Sequence, residues 1–107
     1  YATSRVKPGV AFQPKPQRDE NIALARFSNL LYHNTGKKTY REMASLAMRY
    51  LTIAEIASRR PTAGVLIADA EFNSAPVHIT IVGSKDDSAA LELFKAALAY
   101  PATYSTC

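Results

Sequence analysis

The residues of this chain that could do chemistry are few, and their spacing keeps them from acting together. His33 and His78 are the two histidines, and no second His, Cys or carboxylate stands at a ligand spacing to either, which argues against a zinc site. Cys107 is the one cysteine, so no intrachain disulfide can form, and nothing beside it would lower a thiol pKa or orient a base. Asp19-Glu20 and Asp86-Asp87 are carboxylate pairs, but a general acid and base must face each other across a substrate, and sequence neighbours do not. The run Val82-Gly83-Ser84-Lys85-Asp86-Asp87 joins a strand-like stretch to a helix start, as nucleotide loops do. It has one glycine where dinucleotide folds use three, and its aspartates would repel a phosphate, so it reads as a capped turn. No Ser/His/Asp arrangement, Gly-x-Ser-x-Gly or Cys-x-x-Cys is present. Tyrosines 32, 40, 50, 100 and 104 read as packing residues with a hydrogen-bonding tip. No catalytic, cofactor-binding or metal-ligating residue is assigned, and no cofactor is expected. Asn21, Tyr32 and Phe72 are the candidate pocket or interface residues.

The elements that would position these residues are mainly helical, with a small β element. Residues 1–18 contain Pro8, Gly9, Pro14 and Pro16 and read as an extended arm, with Val10 and Phe12 able to pin it to a neighbouring surface. Residues 19–60 read as an antiparallel helical hairpin turning at Asn34-Thr35-Gly36. Asp19 is the expected N-cap of its first helix and Glu20 suits the positive end of the dipole. Ala23, Phe27, Leu30 and Leu31 recur at helical spacing as a buried stripe widened by Leu24, Arg26 and Asn29 face outward, and Gly36 supplies the left-handed C-cap. Thr39-Tyr40-Arg41-Glu42 fits a capping box for the second helix. Tyr40, Met43, Ala44, Ala47, Tyr50, Leu51 and Ala54 then mark its apolar face, to about Ser58, before Pro61 forbids continuation.

Residues 61–107 read as a short buried helix followed by a strand–helix unit. Ala63, Val65, Leu66, Ile67, Ala68, Ala70 and Phe72 make the short helix apolar nearly all round, so it wants protein on every side. The β-branched run 76–83 reads as a strand with Val77, Ile79 and Ile81 on one face. Asp87 caps a last helix with Ala89, Ala90, Leu91, Leu93, Phe94, Ala97 and Leu98 inside, stopped by Pro101. Such a unit is half of a βαβ motif, and residues 104–107 leave little room for a second parallel strand. The strand is therefore expected to pair with a neighbouring chain or with missing sequence.

Composition bounds the function classes. With 107 residues, 48% of them hydrophobic and 21% charged, the chain is about one small soluble domain. Its longest apolar run, 63–68, is far below the roughly 20 residues of a membrane span, and no basic-then-apolar signal segment opens it. It opens on Tyr1, not Met, which suggests cutting, processing or a longer parent. The net charge of +4 divides into +2 over residues 1–20, +5 over 21–60 and −3 over 61–107. Arg26, Lys37, Lys38, Arg41, Arg49, Arg59 and Arg60 are spread over both helices and the turn without aromatic platforms, so they read as a solvated face and disfavour nucleic acid as a partner. A single cysteine suits a reducing compartment, and the cytoplasm is the expected location.

A wider pattern runs through Asp19-Glu20-Asn21-Ile22-Ala23, Leu30-Leu31-Tyr32, Thr35-Gly36 and Tyr40-Arg41-Glu42-Met43-Ala44. It continues through Pro76-Val77-His78-Ile79-Thr80-Ile81-Val82-Gly83 and Asp86-Asp87 to Tyr100-Pro101. In order and spacing this resembles, over residues 18–104, the C-terminal region of the thioredoxin-domain proteins related to spermatogenesis-associated protein 20. Those proteins join a thioredoxin-like domain to a helical toroid similar to six-hairpin glycosidases and N-acylglucosamine 2-epimerases. The resemblance implies that the hairpin is a late piece of an α/α toroid and the strand–helix unit a terminal appendage. The family's redox-like Cys pair belongs to the thioredoxin part and has no counterpart here, so no catalytic residue carries over. The leading expectation is a non-catalytic structural or interaction segment whose partner is the rest of a parent protein or a second copy of itself. Two alternatives are a part of a sugar-binding toroid, with Asn21 or Tyr32 near a pocket, and a helical-repeat binding module, of which one hairpin is visible where at least three repeats are normally needed.

Overall fold

Helix-forming sequence dominates, and the computed structural model is accordingly mainly helical with a two-stranded parallel sheet. It describes residues 1, 2, 4, 5, 8, 9, 11 and 14–106; Val10, Phe12 and Cys107 lie outside the described residues. In order, the elements are α1 (Arg18–Thr35), α2 (Lys38–Leu51), α3 (Ala54–Ala57), α4 (Ala63–Phe72), β1 (Val77–His78), α5 (Ser88–Leu98) and β2 (Ser105–Thr106). The chain divides into two units, Tyr1–Ala75 and Pro76–Cys107.

In the first unit α1 and α2 pack as the expected hairpin. Gly36 ends α1 at φ 68°, and its N–H donates to the Tyr32 carbonyl at 2.8 Å. A side chain would strain at that φ, which is why glycine marks the turn. Both helices begin two residues earlier than their capping signals place them. Gln17, not Asp19, holds the N-cap position of α1, and Asp19 and Glu20 sit in the first turn, where they still oppose the dipole. The Thr39–Glu42 capping box does not form, because Gly36 and Lys37 alone link the helices and Thr39 is already inside the first turn of α2. The arm is tied back where it meets the hairpin: Ala2 bridges Pro16 antiparallel, and the Tyr50 hydroxyl donates to the Pro16 carbonyl at 3.0 Å.

The buried face of α1 is not the predicted stripe. Ala23 and Phe27 are exposed and Leu30 and Leu31 half-buried, while Asn21, Ala25, Ser28 and Asn29 are buried. These four also recur at i, i+4, i+7 and i+8, so helical periodicity was present in two registers, and the structure selects the one made of small and amide side chains. The α2 face is close to expectation: Ala44, Ala47, Met48 and Leu51 are buried, with Tyr40, Met43 and Tyr50 half-buried. The core joins Ala25, Ala47, Met48, Leu51, Val65 and Ala68, with Ile22, Leu24, Ala57 and Phe72 packed at its edge.

The second helix stops at Leu51, short of Ser58. Thr52 turns its hydroxyl to the Arg49 carbonyl at 3.2 Å, and Ile53 takes an extended ψ of 125° before the short α3. Two consecutive β-branched residues, one bonding back to the helix, weaken helix continuation at that point. α4 forms as expected and packs on α1 and α2. Gly64 permits that approach, since a Cβ there would meet the Ile22 side chain at 3.0 Å. Its Val65, Ala68 and Glu71 are buried, whereas Leu66 and Ile67 on its other sides are exposed.

In the second unit the strand does find a partner in its own chain. β1 and β2 pair in parallel, Val77 opposite Ser105 and His78 opposite Thr106, across α5, which makes a minimal βαβ. The Val77 N–H donates to the Tyr104 carbonyl and the Ile79 N–H to that of Thr106, each at 3.0 Å. This corrects the expectation that the strand must pair outside the chain, and it shortens the strand, because the ladder is only as long as β2. Asp87 caps α5 as expected, accepting from the Ala89 N–H at 3.0 Å. The residues expected inside that helix are not: none of α5 is buried, and Leu93 and Leu98 keep 60% and 64% of their surface in solvent.

Truncating Leu51 to Ala empties the best-filled part of the first unit and is expected to lower its stability by about 2–5 kcal/mol. Leu66→Ala, on the exposed side of α4, is expected to change it by less than about 0.5 kcal/mol. Urea titrations of the two variants measure the difference.

Candidate functional site

The most organised polar cluster lies where α1, α2 and α4 meet. It is built from residues that helical spacing brings to a common line: Arg26 and Asn29 on α1, Arg41 on α2 and Glu71 on α4. Arg26 grips Glu71 with two parallel bonds, Nε to Oε2 and Nη2 to Oε1, each 2.8 Å. Such forked pairs are among the stronger charge-assisted contacts. The hydrogen bond to Glu71 raises the Arg26 pKa above its ordinary value, against an opposing effect of burial. The Asn29 amide donates to the Glu71 carbonyl at 2.8 Å, and its Oδ1 accepts from Arg41 Nη1 at 2.7 Å. Arg41 Nη1 also donates to the Phe72 carbonyl at 3.1 Å. The Arg41 guanidinium lies 3.8 Å from the Phe72 ring centre and 5.7 Å from that of Tyr32, a cation held against aromatic faces. The Tyr32 ring meets His33 edge-on at 5.2 Å.

This cluster corrects two expectations. Asn29 is buried to 1% exposure instead of facing outward, and Arg41 is half-buried as a tie between helices; Arg26 stays exposed as expected, with its guanidinium turned onto Glu71. Glu71 was not singled out at all. The signal that could have found it is a carboxylate set in an apolar helix beside a buried face, since such a group must be paired.

The three candidate residues fall in two places. Tyr32 and Phe72 come together around Arg41. Asn21 lies eleven positions before Tyr32 on α1, and its side chain is spent on backbone: Nδ2 donates to the Gln17 and Tyr1 carbonyls at 2.7 and 2.9 Å, and Oδ1 accepts from the Tyr1 amino group at 2.8 Å. Phe72 also borders a shallow cleft of about 220 Å³ with Met48 and Asn73. His78 bonds Thr106 Oγ1 through Nδ1 at 2.8 Å and so supports the β1–β2 ladder.

Chemically the cluster holds and does not react. Both Glu71 carboxylate oxygens accept from the Arg26 guanidinium, which cannot be deprotonated in a protein. Among the described residues, no buried side-chain nitrogen or oxygen lacks a hydrogen-bond partner, and no group of three or more His, Cys, Asp or Glu gathers as a metal site. No described helix is long and apolar enough to cross a membrane. Comparison with family models, with curated proteins and with solved structures gives no match to this chain.

Replacing Arg41 with Lys keeps the charge but loses the planar stack on Phe72 and the directed Nη1 bonds to Asn29 and the Phe72 carbonyl, and is expected to cost about 1–2 kcal/mol in thermal or urea unfolding. His33 supplies a pH signature. Burial first, and the Arg41 charge second, hold its pKa below the ordinary 6.5. The fold therefore favours the neutral ring, so this contribution is complete above 6.5 and is lost as pH falls through that value toward the folded-state pKa. Unfolding midpoints are expected to drop as pH is lowered from about 7 to about 5, and His33→Gln to flatten part of that slope.

Proposed function

We propose that this chain is a non-catalytic structural and interaction segment, part of a larger cytoplasmic protein of the thioredoxin-domain, helical-toroid kind that its sequence resembles. The observation that carries the reading is the state of the second unit. Among its described residues none is buried, while Val77, Val82, Leu91, Leu93, Phe94, Leu98 and Tyr100 are all exposed. A segment of 32 residues, Pro76–Cys107, is below the size that normally sustains a fold without disulfides, metals or a partner. Leu66 and Ile67 of α4 add exposed apolar surface in the first unit. Exposed apolar side chains in this number within one small unit are what a partner covers. The polar cluster supports the same reading, since its groups are consumed in joining helices. The cover is the rest of the parent protein in the cell, and a second copy of the chain when it is isolated.

Sedimentation across a rising concentration series tests this. The isolated chain is expected to self-associate, and Leu93→Glu with Leu98→Glu to weaken association by at least about tenfold, the cost of placing charges in an apolar contact. A strictly monomeric, cooperatively folded species at the highest concentration would overturn the interaction role. The family part is tested separately by the sequence upstream of Tyr1, where a Cys pair on a thioredoxin pattern followed by repeated helical hairpins is expected.

A further inference from the structure

A cleft of about 260 Å³ in the first unit, beside the start of α1 and the residues following α3, is lined by Arg18, Arg59 and Arg60 together with Gln17, Asp19 and Tyr50. The Arg18 side chain is only 14% exposed, so its guanidinium has surrendered most of its water. Its Nη1 donates to the carbonyl of Arg59, a neutral acceptor. The carboxylate it pairs with, Asp19, is 3.7 Å from Nε on a side chain 91% exposed, and a long contact to a solvated carboxylate compensates little of a desolvated charge. Arg59 and Arg60 are exposed and form no salt bridge among the described residues. Asp19 and Glu20 already oppose the α1 dipole, so the arginines, and not the helix end, define the character of the cleft.

Three cations against one carboxylate leave two positive charges in a space smaller than a usual small-molecule pocket. Guanidinium forks match the geometry of tetrahedral and planar oxyanions, and a charge of +2 selects a dianion over a simple carboxylate. We propose that this cleft binds a phosphate group, either free or at the end of a small phosphomonoester, with Arg59 and Arg60 contacting its oxygens at the mouth and Arg18 supplying charge from within. This site is independent of the apolar surface that carries the proposed function.

Titrating the full chain with inorganic phosphate and, separately, with glycerol 3-phosphate, followed by amide chemical shifts in NMR, tests it. Saturable binding is expected, with shifts centred on Arg18, Asp19, Arg59 and Arg60. Arg59→Gln with Arg60→Gln is expected to weaken it by about tenfold or more, as lost charge-assisted contacts do. Lys37→Gln with Lys38→Gln removes the same net charge at the hairpin turn and is expected to leave the affinity within about twofold. Circular dichroism checks that both variants keep the fold. Tighter binding of glycerol 3-phosphate assigns the site to phosphomonoesters, and equal binding assigns it to the phosphate group alone. Absence of saturable binding of either up to about 10 mM, or equal weakening by the two double variants, overturns the proposal.

Discussion

Glu71 sets the terms for the first unit. A carboxylate with 9% of its surface exposed is costly unless it is paired, and the two-bond grip of Arg26 meets that requirement. Satisfying it fixes α4 on α1 at one register. Asn29 then takes the Glu71 carbonyl and passes its own oxygen to Arg41, which ties α2 to the same place and stacks on Phe72. The apolar contacts among Ala25, Ala47, Leu51 and Ala68 are small and could tolerate several alignments; the polar cluster selects among them. Whether such a cluster adds net stability is a separate matter, since apolar replacements often match buried ion pairs in energy. Its stronger effect is on uniqueness.

The second unit lacks any such anchor. Its two-residue parallel ladder and a capped helix satisfy local backbone demands, but neither buries a side chain. Gly83 lets the turn approach α5, because a Cβ there would lie 2.6 Å from that of Ala90. That contact brings small groups together without making a core. That the segment has its hydrogen bonds arranged and its apolar side chains uncovered is the observation on which the proposal of a larger parent or a partner rests.

Chemistry is sparse because the groups able to perform it are used structurally. His78 supports the ladder and Asn21 fastens the arm to α1. Arg26 and Arg41 are consumed between helices, whereas Arg18, Arg59 and Arg60 gather in a cleft with little to neutralise them. Composition alone could not separate these, since Arg26, Arg41, Arg59 and Arg60 all fall within the +5 of residues 21–60.

What the sequence determined by itself is everything governed by neighbours a few residues apart. The hairpin and its Gly36 turn, the apolar face of α2, the existence of α4 and the Asp87 cap all follow from local sterics, spacing and hydrogen bonding. Tertiary structure decided what local rules leave degenerate. Two apolar or small stripes ran along α1 at the same period, and only packing against α2 and α4 chose Asn21, Ala25, Ser28 and Asn29 over Ala23, Phe27, Leu30 and Leu31. The pairing of β1 with β2 joins positions 28 residues apart, and the Arg26–Glu71 pair joins positions 45 apart. Contacts at such separations depend on where whole elements come to rest, and no periodicity or capping signal encodes that.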